Sequence, residues 1–149
     1  MAATLGATDY HDGALERLRE ASVLLREDLL AGSIYLAGRA VESMLRALIW
    51  KHDLDVQRGR KSLDTGHDLH EMLSMIGNLG VLRNDKRREK LQENVEFIAQ
   101  RWSNSMRFFH TGKTKAIWRQ FGELSQSTIK MAAERFYNAC EDIIRQCTV

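Results

Sequence analysis

Apolar residues recur at intervals of three and four along nearly the whole chain, and this spacing constrains the fold more than any other feature. An α-helix places such residues on one face, whereas a half-buried strand needs alternation with a period of two, which no segment convincingly shows. Two stripes illustrate the pattern: Leu15, Leu18, Ser22, Leu25 and Leu29 near the start, and Ile129, Ala132, Ala133, Phe136, Cys140, Ile143 and Ile144 near the end. The sequence therefore predicts an all-α protein without a β-sheet.

Capping residues, glycines and polar breaks divide this pattern into separate helices. We expect helices at about residues 9–29 and 33–52, a third from 67 or 68 to between 77 and 80, a fourth from 84 or 85 to between 102 and 109, and a last one that Ser127 or Thr128 caps. Residues 53–66 are expected to form a loop and residues 110–125 a short helical turn. Because short connections make consecutive helices antiparallel neighbours, the predicted architecture is an up-and-down helical bundle of four long helices plus a short helix.

The chain has 149 residues, which suits a single domain over residues 1–149. No apolar run reaches the ~18 residues that a membrane span requires, and no secretory signal is visible at the N-terminus. Cys140 and Cys147 would lie two turns apart on one helix, too far for a disulfide. We therefore expect a reduced, cytoplasmic protein, and the net charge of +2 excludes a strongly basic nucleic-acid coat protein.

The segment 33–52 is apolar over a wide surface, which predicts a central helix packed on more than one side. The small residues that would let a neighbouring helix approach it closely are Ala37, Gly38 and Ala40. Glu42 lies inside this apolar helix, where an unpaired carboxylate would be costly. We expect Glu42 to form a structural ion pair with Arg107 or Arg39, with a role as a functional acid as the alternative.

Positive charge is concentrated in the middle of the chain. Residues 51–119 hold fourteen Lys or Arg and nine Asp or Glu, a balance of +5, whereas the remainder holds eight and eleven, a balance of −3. One cluster consists of Arg83, Lys86, Arg87, Arg88 and Lys90. Asp85 and Glu89 lie among these cations, so a solvated helix surface with intrahelical ion pairs explains the cluster at least as well as phosphate binding does.

The segment 101–119 is more typical of nucleotide or RNA binding, because it mixes cations with aromatic side chains. Its candidate binding residues are Arg101, Trp102, Asn104, Lys113, Lys115 and Arg119. The alternative is that its aromatic residues, Trp102 and Trp118 among them, belong to the core.

Arg107 and His110 are the candidate catalytic pair. An arginine can hold a phosphate with two hydrogen bonds, and a histidine can move protons near neutral pH. Three positions apart on a helix, the two residues would share a face. The alternative is an arginine with a structural partner and a histidine at the surface.

The sequence predicts no metal site and no cofactor. His67, His70 and Glu71 have a spacing that one helical turn could use for a metal, but no further ligands cluster with them. His67 and Asp68 are better explained as capping residues of the third helix. Gly112-Lys113-Thr114 is similar to the end of a phosphate-binding loop but lacks the upstream glycine and strand.

Three segments suggest a family. They are AGSIYLAGRAVESMLRA at residues 31–47, Gly66-His67-Asp68-Leu69, and WSNSMRF at residues 102–108. In order and spacing they resemble the second helix, the start of the third helix and the end of the fourth helix of HEPN domains, named for higher eukaryotes and prokaryotes nucleotide-binding. The resemblance implies an all-α bundle, often dimeric, and hence a homodimer here.

The HEPN resemblance also bears on activity. Many members are metal-independent ribonucleases of toxin–antitoxin, CRISPR and other defence systems, with an arginine followed after four to six residues by a histidine. Here two residues separate Arg107 from His110, and eight separate Arg101 from His110, so the nuclease spacing is not matched. Other members sit beside nucleotidyltransferase domains and are thought to assist nucleotide or substrate binding, and that branch fits this sequence better.

We therefore expect a nucleotide- or RNA-interacting HEPN-like accessory domain that is not bound to a membrane. One alternative is an atypical metal-independent endoribonuclease of the toxin or defence type that uses Arg107 and His110. The other alternative is a dimeric helical partner of a nucleotidyltransferase antitoxin.

Overall fold

The computed structural model describes residues 4–63, 68–82 and 84–148, and over these residues the regular structure is helical, with no strand. The helices are α1 (Ala7–Arg26), α2 (Leu30–His52), α3 (Leu54–Gln57), α4 (Leu69–Leu79), α5 (Asp85–Arg101), α6 (Thr111–Gln120) and α7 (Ile129–Cys147), with a 3-10 turn (Asn104–Phe108) between α5 and α6. The all-α class predicted from the sequence is confirmed. None of the described helices is both long and apolar enough to cross a membrane.

The central helix is α2, as its wide apolar surface predicts. It contacts α1, α4 and α7, and also the shorter elements α3, α6 and the 3-10 turn. Thirteen of its 23 residues are buried, which requires neighbours on more than one side. The helix begins at Leu30 rather than at residue 33, because the Ser33 hydroxyl donates to the Ala21 carbonyl of α1 (2.8 Å) instead of capping a new helix.

Helices α1 and α2 form an antiparallel hairpin. Ser33, near the start of α2, bonds to Ala21, and Ser43, further along, donates to the Tyr10 carbonyl (2.6 Å). Later residues of α2 therefore meet earlier residues of α1. This is the arrangement that a short connection between two helices favours.

The face of α1 that packs on α2 differs from the predicted leucine stripe. The positions that face the core are Ala14 and Ala21, which are fully buried, and Leu18 and Leu25, which are half-buried. Leu15 and Leu29 are instead 40% and 56% exposed. Small side chains let two helices approach closely, so alanine and not leucine occupies the centre of this contact.

Polar and glycine-containing segments hold more helix than predicted. Within the expected loop 53–66, Asp53 accepts hydrogen bonds from the amides of Asp55 (3.0 Å) and Val56 (3.3 Å) and so starts α3. Residues 111–120 form the ten-residue α6 rather than a short turn. The predicted final helix is confirmed, and Thr128 caps it by accepting the Met131 amide (3.2 Å).

The end of α5 is held by the Trp102 side chain. The backbone becomes extended at Trp102, and its indole N–H donates to the Tyr35 carbonyl of α2 (3.1 Å). The indole lies directly over Gly38, where an added Cβ atom would come 2.2 Å from Nε1. Gly38 is therefore needed for close packing, although its partner is a tryptophan side chain and not a whole helix.

We predict that Gly38→Ala destabilises the protein by about 1–3 kcal/mol, because the added methyl group must displace a packed indole. Gly77→Ala in α4 is the matched control, since a Cβ atom there meets nothing within 4 Å and alanine favours helix by up to about 1 kcal/mol. Urea unfolding measures both changes. Equal effects at the two glycines would contradict the packing assigned to Trp102.

Cys140 and Cys147 are both free and both buried on the core side of α7. Burial raises the pKa of the Cys140 thiol well above its ordinary value. The pKa of the Cys147 thiol is raised to about 12. Burial raises it, and the positive charge of the Arg87 guanidinium lowers it by a smaller amount. The folded state therefore keeps both thiols neutral at a pH where the unfolded chain ionises them.

Stability should consequently fall as the pH rises above about 9, where the unfolded chain begins to lose thiol protons that the folded state retains. Each thiol contributes a slope of up to about 1.4 kcal/mol per pH unit. Urea unfolding of the wild type and of Cys147→Ala between pH 8 and 11 measures this, and the variant should lose less stability. If the free energy of unfolding fell with the same slope in both proteins, the Cys147 thiol would have the same pKa in the folded and unfolded states.

Candidate basic site

The chain between residues 97 and 122 contains five Lys or Arg residues, one histidine, and no Asp or Glu. This acid-free segment comprises the end of α5, the 3-10 turn and the whole of α6. It includes most of the residues predicted to bind or process a nucleotide. The structure divides them into an inner and an outer group.

Arg101 belongs to the inner group. Its Nη2 atom lies 2.5 Å from the Glu123 carboxylate, and its guanidinium carbon lies 3.7 Å from the centroid of the Phe97 ring. A further hydrogen bond runs from Nη1 to the Phe97 carbonyl (2.9 Å), and the side chain is only 17% exposed. The charge of Arg101 is thus largely balanced inside the fold.

The two tryptophans of the segment are also turned inward. Trp118 is 1% exposed, packs against Phe136 at 5.7 Å between ring centroids, and donates its indole N–H to the Arg101 carbonyl (3.2 Å). Trp102 is 6% exposed and stacks with Tyr35 at 6.3 Å. Both tryptophans therefore belong to the core, which is the alternative interpretation given for them in the sequence analysis.

Four other cations form the outer group, which we call the basic face: Arg107, Lys113, Lys115 and Arg119. All four are exposed, and within the described residues none of them forms an ion pair. The last three lie on the outer side of α6 because Thr114 and Trp118, one turn apart, bury its inner side. The fold therefore presents positive charge to solvent without acidic neighbours from the same segment.

Two phenylalanines of the same segment are also exposed to solvent. Phe108 is 77% exposed and Phe121 is 64% exposed, at the end of the 3-10 turn and just after α6. The Arg107 guanidinium lies over the Phe108 ring at 4.6 Å from its centroid. Trp102 was the one aromatic residue among the binding residues predicted from the sequence, and Phe108 was not among them. The signal that could have identified Phe108 is its position next to Arg107 in the sequence.

Arg107 and His110 do not share a helical face, contrary to the sequence prediction. Arg107 lies in the 3-10 turn, which ends at Phe108, and His110 has an extended backbone and caps α6. The His110 Nδ1 atom accepts the Lys113 amide (3.3 Å), so the histidine has a local structural partner. Both side chains remain exposed.

Glu42 is 3% exposed and pairs with arginines of its own helix. Arg39 Nη1 lies 2.9 Å from its carboxylate, and Arg46 Nε lies 3.5 Å away. The predicted partner Arg39 is therefore present, while Arg46 was not foreseen although it lies one turn further on. The other suggested partner, Arg107, is exposed over Phe108.

Glu42 also lines a cavity of about 590 Å³ between α1 and α2, with Arg17, Arg39, Arg46 and Tyr35 among its other walls. Its arginines already have carboxylate partners, because Arg17 pairs with Glu20 (2.9 Å) as well. The positive charge of this cavity is thus largely neutralised. The basic face has more positive charge available for an anionic ligand.

The remaining sequence candidates are dispersed. His70 and Glu71 are exposed at the start of α4, where Asp68 accepts their backbone amides (2.9 and 3.2 Å), and His67 lies outside the described residues. In the cluster on α5, Arg88 pairs with Asp85 (2.7 Å), as expected for a solvated helix. Arg83 lies outside the described residues.

We predict that Glu42→Ala destabilises the protein by about 3–5 kcal/mol, because Arg46, only 11% exposed, would lose its carboxylate partner. Glu20→Ala is the control, since it removes a half-exposed i,i+3 partner of Arg17 and should cost about 1 kcal/mol or less. Chemical denaturation measures both. A cost for Glu42→Ala as small as that of the control would argue against a structural ion pair.

Comparison with known proteins gives no relative: no protein-family model, no curated protein and no solved structure matches this chain.

Proposed function

We propose that the chain is an RNA- or nucleotide-binding accessory domain of the HEPN type, and that it binds phosphate through the basic face. The observation that carries this proposal is the exposure of four cations on an acid-free segment, beside two exposed phenylalanines. Each part of this surface has a distinct physical task in binding.

The cations supply the affinity for phosphate. Binding of a polyanion releases its condensed counterions, so four exposed Lys or Arg residues favour association and make it sensitive to salt. Arg107 and Arg119 can each donate two parallel hydrogen bonds to one phosphate, whereas Lys113 and Lys115 act as point charges. Glu123, the first acidic residue after the segment, is paired with Arg101. It therefore lowers the positive potential of the basic face less than an unpaired carboxylate would.

The phenylalanines supply a surface for bases. A base that stacks on an aromatic ring contributes about 1–3 kcal/mol to binding, and every kind of base can stack in this way. Phe108 is well placed for this because its ring lies against Arg107, which brings stacking and phosphate binding together. Such an arrangement favours single-stranded RNA, whose bases are accessible, over a duplex.

The HEPN part of the proposal, including the four-helix bundle and the homodimer, is based on the three sequence segments. It is supported by the packing of Trp102, from the third segment, on Gly38, from the first. Because the two segments touch at this point, the packing gives a physical reason for the glycine in the first segment and the tryptophan in the third. A nucleotidyltransferase partner remains the alternative in which the domain acts mainly through protein contacts.

The ribonuclease alternative is tested by His110→Asn. Asparagine is a strong N-cap residue and should preserve α6, but it cannot transfer protons. RNA cleavage by the metal-free wild type that this variant loses would favour the ribonuclease. Absence of cleavage, or equal cleavage by both proteins, would leave binding as the function.

For RNA binding we predict that Lys115→Gln/Arg119→Gln weakens the affinity for a single-stranded oligonucleotide and lowers the dependence of log K on log salt by roughly 1.4. The matched control is Lys86→Gln/Lys90→Gln, which removes two exposed cations of α5. Fluorescence anisotropy at several salt concentrations measures both. Equal losses in the two variants would indicate a general charge effect and contradict a localised site.

The stacking surface has its own test. Phe108→Ala should weaken RNA binding by about 1–3 kcal/mol with little effect on folding, because the side chain is 77% exposed. Leu54→Ala, at an exposed apolar residue of α3, is the control and should leave the affinity unchanged. An unchanged affinity in Phe108→Ala would remove the aromatic part of the proposal.

A further inference from the structure

An open groove lies between α1 and α7 on the surface of the protein. Its volume is about 420 Å³, and its apolar wall consists of Leu15, Leu18 and Ile144, with Glu141 and Arg145 on the α7 side. Leu15 is exposed and Leu18 is half-buried, so the fold leaves part of the leucine stripe of α1 uncovered. An apolar groove between two helices is suited to the packing of a further helix.

Helices α1 and α7 run antiparallel along this groove. Leu15 of α1 lies across from Ile144 of α7. At the other end, the Lys130 ammonium near the start of α7 donates to the Asp28 carboxylate just after α1 (2.7 Å). Because both helices have the same rise per residue, each step forward on α1 is level with one step back on α7.

The charged residues beside the groove form a complementary pattern. Arg19 and Arg26 are seven residues apart on one exposed face of α1, and Glu134 and Glu141 are seven residues apart on one face of α7. In the antiparallel register, Arg19 is level with Glu141, and Arg26 is level with Glu134. Glu141 pairs with Arg145 of its own helix (3.0 Å). Over the part of the chain that the structure describes, Arg19, Arg26 and Glu134 form no ion pair.

We propose that a second copy of this chain docks on the groove, with α1 of each copy over α7 of the other. A two-fold rotation about an axis parallel to the groove produces this arrangement and keeps each residue at its level. Arg19 of one copy then meets Glu141 of its partner, and Arg26 meets Glu134. Since the interface is isologous, each of these contacts occurs twice.

The groove and its flanking helices are large enough for a specific dimer. Helix α1 has 20 residues and α7 has 19, so each is about 30 Å long. Two adjacent helices of about 10 Å diameter offer roughly 600 Å² per copy, and a dimer would bury roughly 1,200 Å², the lower limit for specific interfaces. Leu15 and Leu18 of the two copies would lie at one level and form an apolar cluster across the axis.

This dimer surface deepens the proposed function and rests on its homodimer, to which the three sequence segments assign no surface. RNA binding does not need it, because the residues of the basic face lie on the 3-10 turn and α6 and none of them lines the groove.

Charge reversal tests the pairing. Arg19→Glu/Arg26→Glu and Glu134→Arg/Glu141→Arg each bring like charges together at four contacts, and each should raise the dissociation constant of the dimer by a factor on the order of 100. An equal mixture of the two variants restores every pair, because the acidic α1 of one variant meets the basic α7 of the other. Sedimentation velocity should show a dimer for the wild type and for the mixture, and monomers for each variant alone.

The matched control is Lys86→Glu/Lys90→Glu, which reverses two exposed cations of α5 and should leave the dimer intact. A monomeric wild type, reversal variants that remain dimeric, or a mixture that stays monomeric would overturn the proposal. Salt-dependent RNA binding by a monomeric wild type would support the basic face and refute this surface. A dimer that follows the predicted pattern but binds no RNA would support this surface and refute the RNA-binding part of the proposed function.

Discussion

The contact between Trp102 and Gly38 anchors the chain between α5 and α6 on the central helix α2. The indole rests on the glycine and bonds to the Tyr35 carbonyl, so the chain leaves α5 at a fixed point on α2. The Trp118 indole then bonds to the Arg101 carbonyl and ties α6 to the same point. These two buried rings, neither of which contacts solvent appreciably, tie the segment that carries the basic face to the core.

Two groups of cations in this protein differ in their burial. Arg39, Arg46 and Arg101 are largely buried or half-buried, and each lies beside a carboxylate, as removal of a charge from water requires. The cations of the basic face stay in water and need no partner. The proposed anionic ligand would meet these four exposed cations on a segment of 26 residues that contains no Asp or Glu.

The sequence predicted best the elements whose apolar residues are large and evenly spaced. The stripe of α7 led to a correct helix, and the wide apolar surface of α2 led to a helix that is packed on more than one side. The contact face of α1 was missed because Ala14 and Ala21 carry it, and alanine gives little signal in a pattern of leucines. The separation of Arg107 from His110 was missed because a change from 3-10 turn to helix within four residues depends on the His110 cap.

We propose that RNA lies along the outer side of the 3-10 turn and α6. The site of RNA binding can be located by ultraviolet crosslinking of the wild-type protein to a single-stranded homopolymer RNA, followed by mass spectrometry of the crosslinked peptides. Binding at the basic face should give crosslinks within residues 102–121, foremost at the exposed ring of Phe108. Crosslinks confined to the arginine-lined cavity between α1 and α2, around Arg17 and Tyr35, would contradict it and move the binding site to the opposite half of the sequence.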